Sequence, residues 1–184
     1  MGWIILVIVV LIVIAVISMY NGLVSARIKV DNAWSQIDVQ LQRRFDLIPN
    51  LVETVKGYMT HESDTLAKVT ELRTAWAGAK TVDEKAKLDN ELSNTLKTIM
   101  AVAEAYPDLK ANQNFESLQN ELTETEDKIS YSRQFYNDTV TKYNTKLELF
   151  PSNIIAGMFH FTAESLFEVD SAEARKNVKV DFNK

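Results

Sequence analysis

The apolar residues of this chain follow two different patterns. From Trp3 to Tyr20 they form an unbroken run in which only Ser18 is neither apolar nor aromatic. After Arg27, apolar residues recur instead at spacings of three and four, which is the period of a helix face packed in a core. The first pattern predicts a helix that spans a membrane, and the second predicts a set of amphipathic helices.

The apolar run has the length of a membrane span. At about 1.5 Å per residue it would measure about 27 Å as a helix, close to the roughly 30 Å of a hydrocarbon core. A cleaved signal peptide is the alternative, because Val24-Ser25-Ala26 resembles a cleavage site; however, no basic segment precedes the run, and the run is longer than is usual for signal peptides. We therefore predict a single-pass anchor, with aromatic residues at both interfaces. Its residues include Trp3, Ile4, Ile5, Leu6, Leu11, Ile14, Ile17 and Tyr20.

Flanking charge predicts how this anchor is oriented. No cation precedes the run, whereas Arg27 and Lys29 follow it closely. Because cations near a span favour the cytoplasmic side, we expect the N-terminus outside and the rest of the chain in the cytoplasm.

The first amphipathic segment runs from Arg27 to Met59. Its apolar residues repeat every seven positions over a face broad enough for a bundle. Pro49 interrupts the segment without shifting this repeat, and we therefore expect a kink there. Since no proline lies before Pro49, the membrane helix is expected to continue into this segment, with Asn21-Gly22 its only weak point.

Three more helical segments follow. We predict that the second starts near Ser63 as its N-cap, that the third opens at Asp83 and ends at Pro107, and that the fourth, the longest, reaches Pro151. Together these patterns predict an all-α protein, with an N-terminal transmembrane helix followed by an antiparallel four-helix bundle of long helices. The predicted domains are an anchor at 1–26 (helix at about 3–20), a bundle at 27–150, and a partly apolar tail at 151–184 that packs on the bundle or the membrane.

Composition narrows the chemistry. The chain of 184 residues has 20 Lys and Arg, 25 Asp and Glu, and no Cys, so that disulfides, thiolate metal sites and cysteine nucleophiles are absent. Its net acidity and lack of a basic stripe argue against nucleic acid as a partner. Because no catalytic constellation is visible either, we predict no enzymatic activity, no cofactor and no metal.

Two local clusters have alternative interpretations. His61 to Asp64 offers metal-ligand types, but the other His stands far away in the tail, and an exposed turn is the better interpretation. Arg44 lies on the apolar row and is expected to be half buried, paired with Asp38 or with an acid of the fourth helix, which would set register rather than add much stability. The alternative for Arg43-Arg44 is a site for phosphate or a lipid head group.

Two long stretches, Ala33 to Glu62 and Ala105 to Asn137, resemble the signature stretches of the LemA family. Tyr20 to Arg27 also fits the family, as does Ile155 to Phe161, in which the family more often has Gly at the position of His160. The resemblance implies a bacterial, single-pass protein of the inner membrane with an antiparallel helical bundle and no established catalytic activity or cofactor. Members are often encoded beside membrane-associated proteases or TPM-domain proteins, and a magnetosome protein is similar to the family.

Function is predicted from the anchor, the bundle and this resemblance together. We expect a non-enzymatic scaffold or interaction module at the cytoplasmic membrane, with the lipid bilayer as one partner; the heptad spacing is also compatible with a homo-oligomer. The alternatives are a regulator or adaptor of a membrane protease in envelope quality control, partnered by that protease or a TPM-domain protein, and a membrane-remodelling protein. The candidate interaction surface consists of Arg43, Asp46, Asn50, His61, Asp108 and Asn112.

Overall fold

The computed structural model describes residues 2–59 and 61–168, and every regular element in this part of the chain is a helix. The all-α prediction is therefore confirmed. Residues 169–184 lie outside the described residues, and the prediction for that part of the tail stays a prediction. The helices are α1 (Gly2–Asp46), α2 (Ile48–Lys56), α3 (Ser63–Gly78), α4 (Val82–Ala103), α5 (Pro107–Lys110), α6 (Gln113–Glu148) and α7 (Ser152–Met158).

Helix α1 joins the apolar run to the bundle without a break. It continues through Asn21-Gly22, the weak point that the sequence indicated. Side chains of the apolar run are exposed, as at Trp3 (82%) and Ile17 (53%), whereas burial begins at Leu23. Within the described residues, this is the one helix long and apolar enough to cross a membrane.

The helix breaks where Pro49 predicts it. Pro49 has no amide hydrogen to donate to the Phe45 carbonyl, so the regular hydrogen-bond pattern cannot continue. Just before it, the Leu47 amide donates both to its ordinary helical partner, the Arg43 carbonyl (3.2 Å), and to the Arg44 carbonyl (3.3 Å), and α2 starts at the next residue. The predicted kink is thus an interruption of one residue, just before the proline.

Contacts at both ends show that α1–α2 and α6 run antiparallel. At one end, Leu23 packs with Ile155 of α7, which directly follows α6. At the other end, the Asn112 side chain, which caps the start of α6, donates to the Tyr58 hydroxyl just after α2 (3.1 Å). Helices α3 and α4 form a hairpin against this pair, and the rings of Phe45 and Trp76 stack 4.4 Å apart between α1 and α3.

Two helix starts differ from the sequence prediction. Ser63 is the first residue of α3 rather than its N-cap; Glu62 occupies the cap position and makes no side-chain cap bond. Helix α4 begins at Val82, one residue earlier than predicted, because Thr81 and Glu84 form a reciprocal capping box. The spacing of Thr81 and Glu84 is a sequence signal for this cap, which the prediction of a start at Asp83 overlooked.

After α7 the chain returns along α6 as an extended segment, residues 161–168, which we call the strap. Asn144 pairs through its side-chain amide with both the N–H (3.0 Å) and the C=O (2.9 Å) of Glu164. Asn137 pairs in the same way with Phe167 (2.8 and 3.1 Å). The two asparagines are seven residues apart on the helix, and their two partners are three residues apart on the extended strap. Both steps span about 10 Å, so the second pairing repeats the first in register.

A strained residue lies just before the strap. His160 has a φ of 56°, in the left-handed region, just past the end of α7. Glycine is the usual residue at this position of a helix C-terminus, because it has no Cβ to crowd the backbone. This backbone conformation would favour Gly at the position of His160.

We expect His160→Gly to raise the free energy of unfolding by about 0.5–1 kcal/mol, since the strain relieved exceeds the added chain entropy of Gly. Chemical denaturation of the full chain in detergent would measure the change. His160→Ala is the matched control, because Ala removes the imidazole and keeps the strain. Equal stability of the two variants would contradict this explanation.

Candidate functional site

A buried carboxylate organises the polar interior of the bundle. Asp89 of α4 is 0% exposed. Its Oδ1 accepts from Arg44 of α1 (2.7 Å), and its Oδ2 accepts from Arg133 of α6 (2.9 Å). Arg44 also binds Glu126 of α6 at 2.8 Å. Three helices are therefore joined through one acidic side chain.

Burial dominates the electrostatics of Asp89. Loss of solvent raises the pKa of the Asp89 carboxyl above its ordinary value, although the guanidinium groups of Arg44 and Arg133 favour the charged form. The ion pairs therefore offset only part of the cost of burying the carboxylate. That a buried pair here sets register rather than adding much stability stays a prediction.

The partners of Arg44 match the sequence prediction in part. Arg44 does pair with an acid of the fourth predicted helix, Glu126. Asp38, the other suggested partner, pairs instead with Lys85 of α4. Arg44 is also more deeply buried than expected, with 4% of its surface exposed, and is therefore unavailable to phosphate or a lipid head group.

The six residues of the candidate interaction surface lie in separate places. Arg43 and Asp46 line a groove beside the C-terminal end of α1. Asn50 lines a different groove, between α2 and α6. All three are exposed. They can each contact a partner.

The other three residues lie at the end of the bundle farthest from the apolar run. His61 and Asp108 are exposed there, in the α2–α3 turn and in α5. Two hydrogen bonds hold this turn to the opposite connection: the Tyr106 hydroxyl donates to Glu62 (3.1 Å), and Asn112 donates to Tyr58. Asn112 also accepts from two backbone amides of α6, so its role in the fold explains it without a partner.

The sequence prediction missed the residues that build this interior. Asp89 was overlooked although it occupies the apolar row of α4, between Ala86 and Leu92, where a charge signals a buried pair. Asn137 and Asn144 were also overlooked. Asn137 directly follows the buried Tyr136, and Asn144 directly follows the buried Tyr143. This Tyr-Asn pair, repeated after seven residues, was the available sequence signal.

The same heptad repeat places the hydroxyls of two α6 tyrosines against the main chain of the strap. Tyr136 donates to the Ser165 carbonyl (2.8 Å), and Tyr143 donates to the Thr162 carbonyl (3.0 Å). Burial raises the pKa of Tyr136 to about 12 and also raises the pKa of Tyr143. Both phenols stay neutral near pH 7 and act as donors, which fits a binding role better than a chemical one.

No group of three His, Cys, Asp or Glu residues within the described ranges is placed to hold a metal ion. The exposed His61 to Asp64 segment is part of an interhelical turn. What the described residues offer is a rigid interior and polar exposed surfaces.

Comparisons with known proteins agree with the resemblance. The model of the LemA family matches residues 33–182. Protein LemA of Metamycoplasma hominis is 26% identical over 155 residues, which cover 83% of this chain and 70% of that protein. Magnetosome protein MamQ 2 of Paramagnetospirillum magneticum is 26% identical over 175 residues, covering 81% of this chain and 64% of that protein. Magnetosome protein MamQ of Magnetospirillum gryphiswaldense is 22% identical, with 80% and 64% covered. The chain thus spans a little less than two thirds of the magnetosome relatives.

We expect Asp89→Asn to lower the free energy of unfolding by about 3 kcal/mol, because it removes the acidic partner of Arg133 and one of the two acidic partners of the buried Arg44. Adding Arg133→Met should recover part of the loss, since one unpaired charge is then removed. Chemical denaturation would measure both changes. Asp127→Asn on the exposed side of α6 is the control, expected within about 0.5 kcal/mol of the original chain. Equal effects at Asp89 and Asp127 would contradict this account.

Alkaline pH should destabilise the fold through Tyr136. Its pKa is about 12 in the folded chain, against an ordinary value of 10.0, so the folded state retains the phenol proton more strongly. The stability from this difference is complete below about pH 10 and is lost as the pH rises toward 12. The free energy of unfolding, measured from about pH 10 to 12, should fall less in Tyr136→Phe than in the original chain. In the control Tyr131→Phe, which changes an exposed tyrosine, it should fall as much as in the original chain.

Proposed function

The chain belongs to the LemA family, and on that premise we propose that it is a single-pass membrane protein whose helical bundle acts as a non-enzymatic scaffold. The proposed location is the bacterial cytoplasmic membrane, with the N-terminus outside and the bundle in the cytoplasm. Arg27 and Lys29, which follow the apolar run, support this orientation.

The observation that carries the proposal is the continuity of α1. A single helix has its apolar run exposed in the first half and its buried core face in the second, from Leu23 to Phe45. From Tyr20 to Asp46 it rises about 39 Å. A helix held by lipid at one end and by a packed core at the other would support a bundle at a fixed distance from the membrane, as a scaffold requires.

The exposed polar residues supply the proposed contacts. Arg43 and Asp46 lie on the outside of α1 with no role in the core, and Gln42 donates to Asp46 at 2.9 Å, which orients its carboxylate outward. Charged groups on such a rigid surface favour a complementary charged partner, which includes a second copy of the chain.

Native purification tests the scaffold proposal. Full-length chain would be extracted into nanodiscs with its native lipids, sized by mass photometry, and its co-purifying proteins identified by mass spectrometry. We expect either a homogeneous homo-oligomer or a stoichiometric membrane partner. A membrane protease in that position would favour the adaptor interpretation, whereas monomer alone would contradict the scaffold.

Charge reversal tests the surface itself. Arg43→Glu should remove the partner or reduce the oligomer to monomer, because it places repulsion at the proposed contact. Lys97→Glu, a matched reversal at an exposed cation of α4, should leave the assembly intact. Loss of assembly in both variants, or in neither, would place the contact elsewhere.

A further inference from the structure

We propose that the corner between α6 and α7 is a second membrane contact, which inserts into the leaflet where α1 leaves the bilayer. We call residues 149–159 the corner. The proposal rests on the anchoring role proposed above for α1, and it adds that a separate part of the chain also enters the lipid.

The corner carries a dense group of exposed large apolar side chains. Apart from the predicted span, the remaining exposed large apolar residues in the described ranges are scattered, as at Val39 and Tyr131. In the corner they lie within eleven residues and project around one short helix. The group consists of Leu149 (56% exposed), Phe150 (79%), Ile154 (52%), Met158 (65%) and Phe159 (50%). A cluster of this kind on a soluble surface marks a contact with lipid or another apolar partner.

Helix α7 has two apolar faces. Ile155 and Ala156 point inward and pack on Leu23 of α1. Ile154 and Met158, four residues apart and therefore on one side of the helix, point outward. No charged residue occurs in α7. The inward face explains the docking of α7 on α1, and the outward face is explained by a second apolar environment.

The height of the corner identifies that environment as the bilayer. The inward face of α7 lies beside Val16, Met19 and Tyr20, the last residues of the apolar run. The rings of Tyr20 and Phe159 are 4.7 Å apart. Because the run from Trp3 is only about 27 Å long, its end at Tyr20 must lie near the membrane interface if the run spans the lipid. The outward face of α7 therefore lies at the level where the exposed apolar surface of α1 ends.

Charged residues on the side of the corner away from the apolar run agree with a corner placed at the membrane interface. Lys29, Lys142 and Lys146 line a groove between α1 and α6. Lys29 follows Tyr20 by nine residues, which places it about 14 Å farther along the helix axis, at the level of lipid head groups. Asp31, Glu148 and Glu164 are nearby acids. Together with Arg27, the four cations exceed these three acids by one, so the local charge favours anionic head groups at this level.

Single-cysteine labelling tests the insertion without background, because the chain has no Cys. Ile154→Cys and Met158→Cys would each be labelled with a nitrobenzoxadiazole fluorophore in full-length chain, reconstituted in phosphatidylethanolamine–phosphatidylglycerol vesicles. Ile12→Cys in the apolar run is the lipid control. Tyr131→Cys, at an exposed apolar position of α6 remote from the corner, is the aqueous control.

We expect the labels at 154 and 158 to be quenched by lipids that carry a doxyl group near the head group, and to be protected from aqueous iodide. The label at 131 should show the reverse. Quenching at 12 but not at 154 or 158 would overturn the second contact while leaving the anchor in place. Iodide quenching at 12 as well would overturn the anchor on which both proposals depend. A label protected from both quenchers at 154 would indicate a protein partner on the corner, and it too would overturn the proposal.

Discussion

Asp89 constrains the packing of the bundle, because a fully buried carboxylate can be tolerated only where cations reach it. Arg44 and Arg133 approach it from α1 and α6, on opposite oxygens. A shift of either helix by one turn would separate charges that the interior cannot solvate. Apolar contacts along these long helices would permit several alignments, and the ion pairs select one of them.

The aligned bundle determines where α7 and the strap can lie. After α6, the chain turns at Pro151, beside the point where α1 becomes buried, and α7 therefore meets Leu23. The chain then returns along α6 over the face that carries Tyr136 and Tyr143. The position of the end of the bundle beside the apolar run therefore depends on a register fixed in the interior, about halfway along the bundle.

Local patterns predicted the long helical segments but not the short helices α5 and α7, and non-local pairings were not predicted. The continuity of α1 and the break before Pro49 follow from helix chemistry within a few residues. The pairing of Lys85 with Asp38, and of Arg44 with Asp89, depends on which helices become neighbours, and no local pattern specifies that. The candidate surface was therefore predicted as a set of exposed residues, but not as a geometry.

Side chains of α6 hold the strap almost entirely through hydrogen bonds to the strap's main chain. Asn144 and Asn137 bind peptide groups, as do the tyrosine hydroxyls, and only Phe167 is deeply buried through its side chain. Substitutions at Ala163 or Leu166 should accordingly be nearly neutral, whereas changes of length should not. A single-residue insertion between Glu164 and Phe167 would misalign one of the two asparagine pairings, because a step of seven on the helix matches a step of three on the extended chain. In related sequences, this segment should therefore vary freely in composition while its length stays fixed.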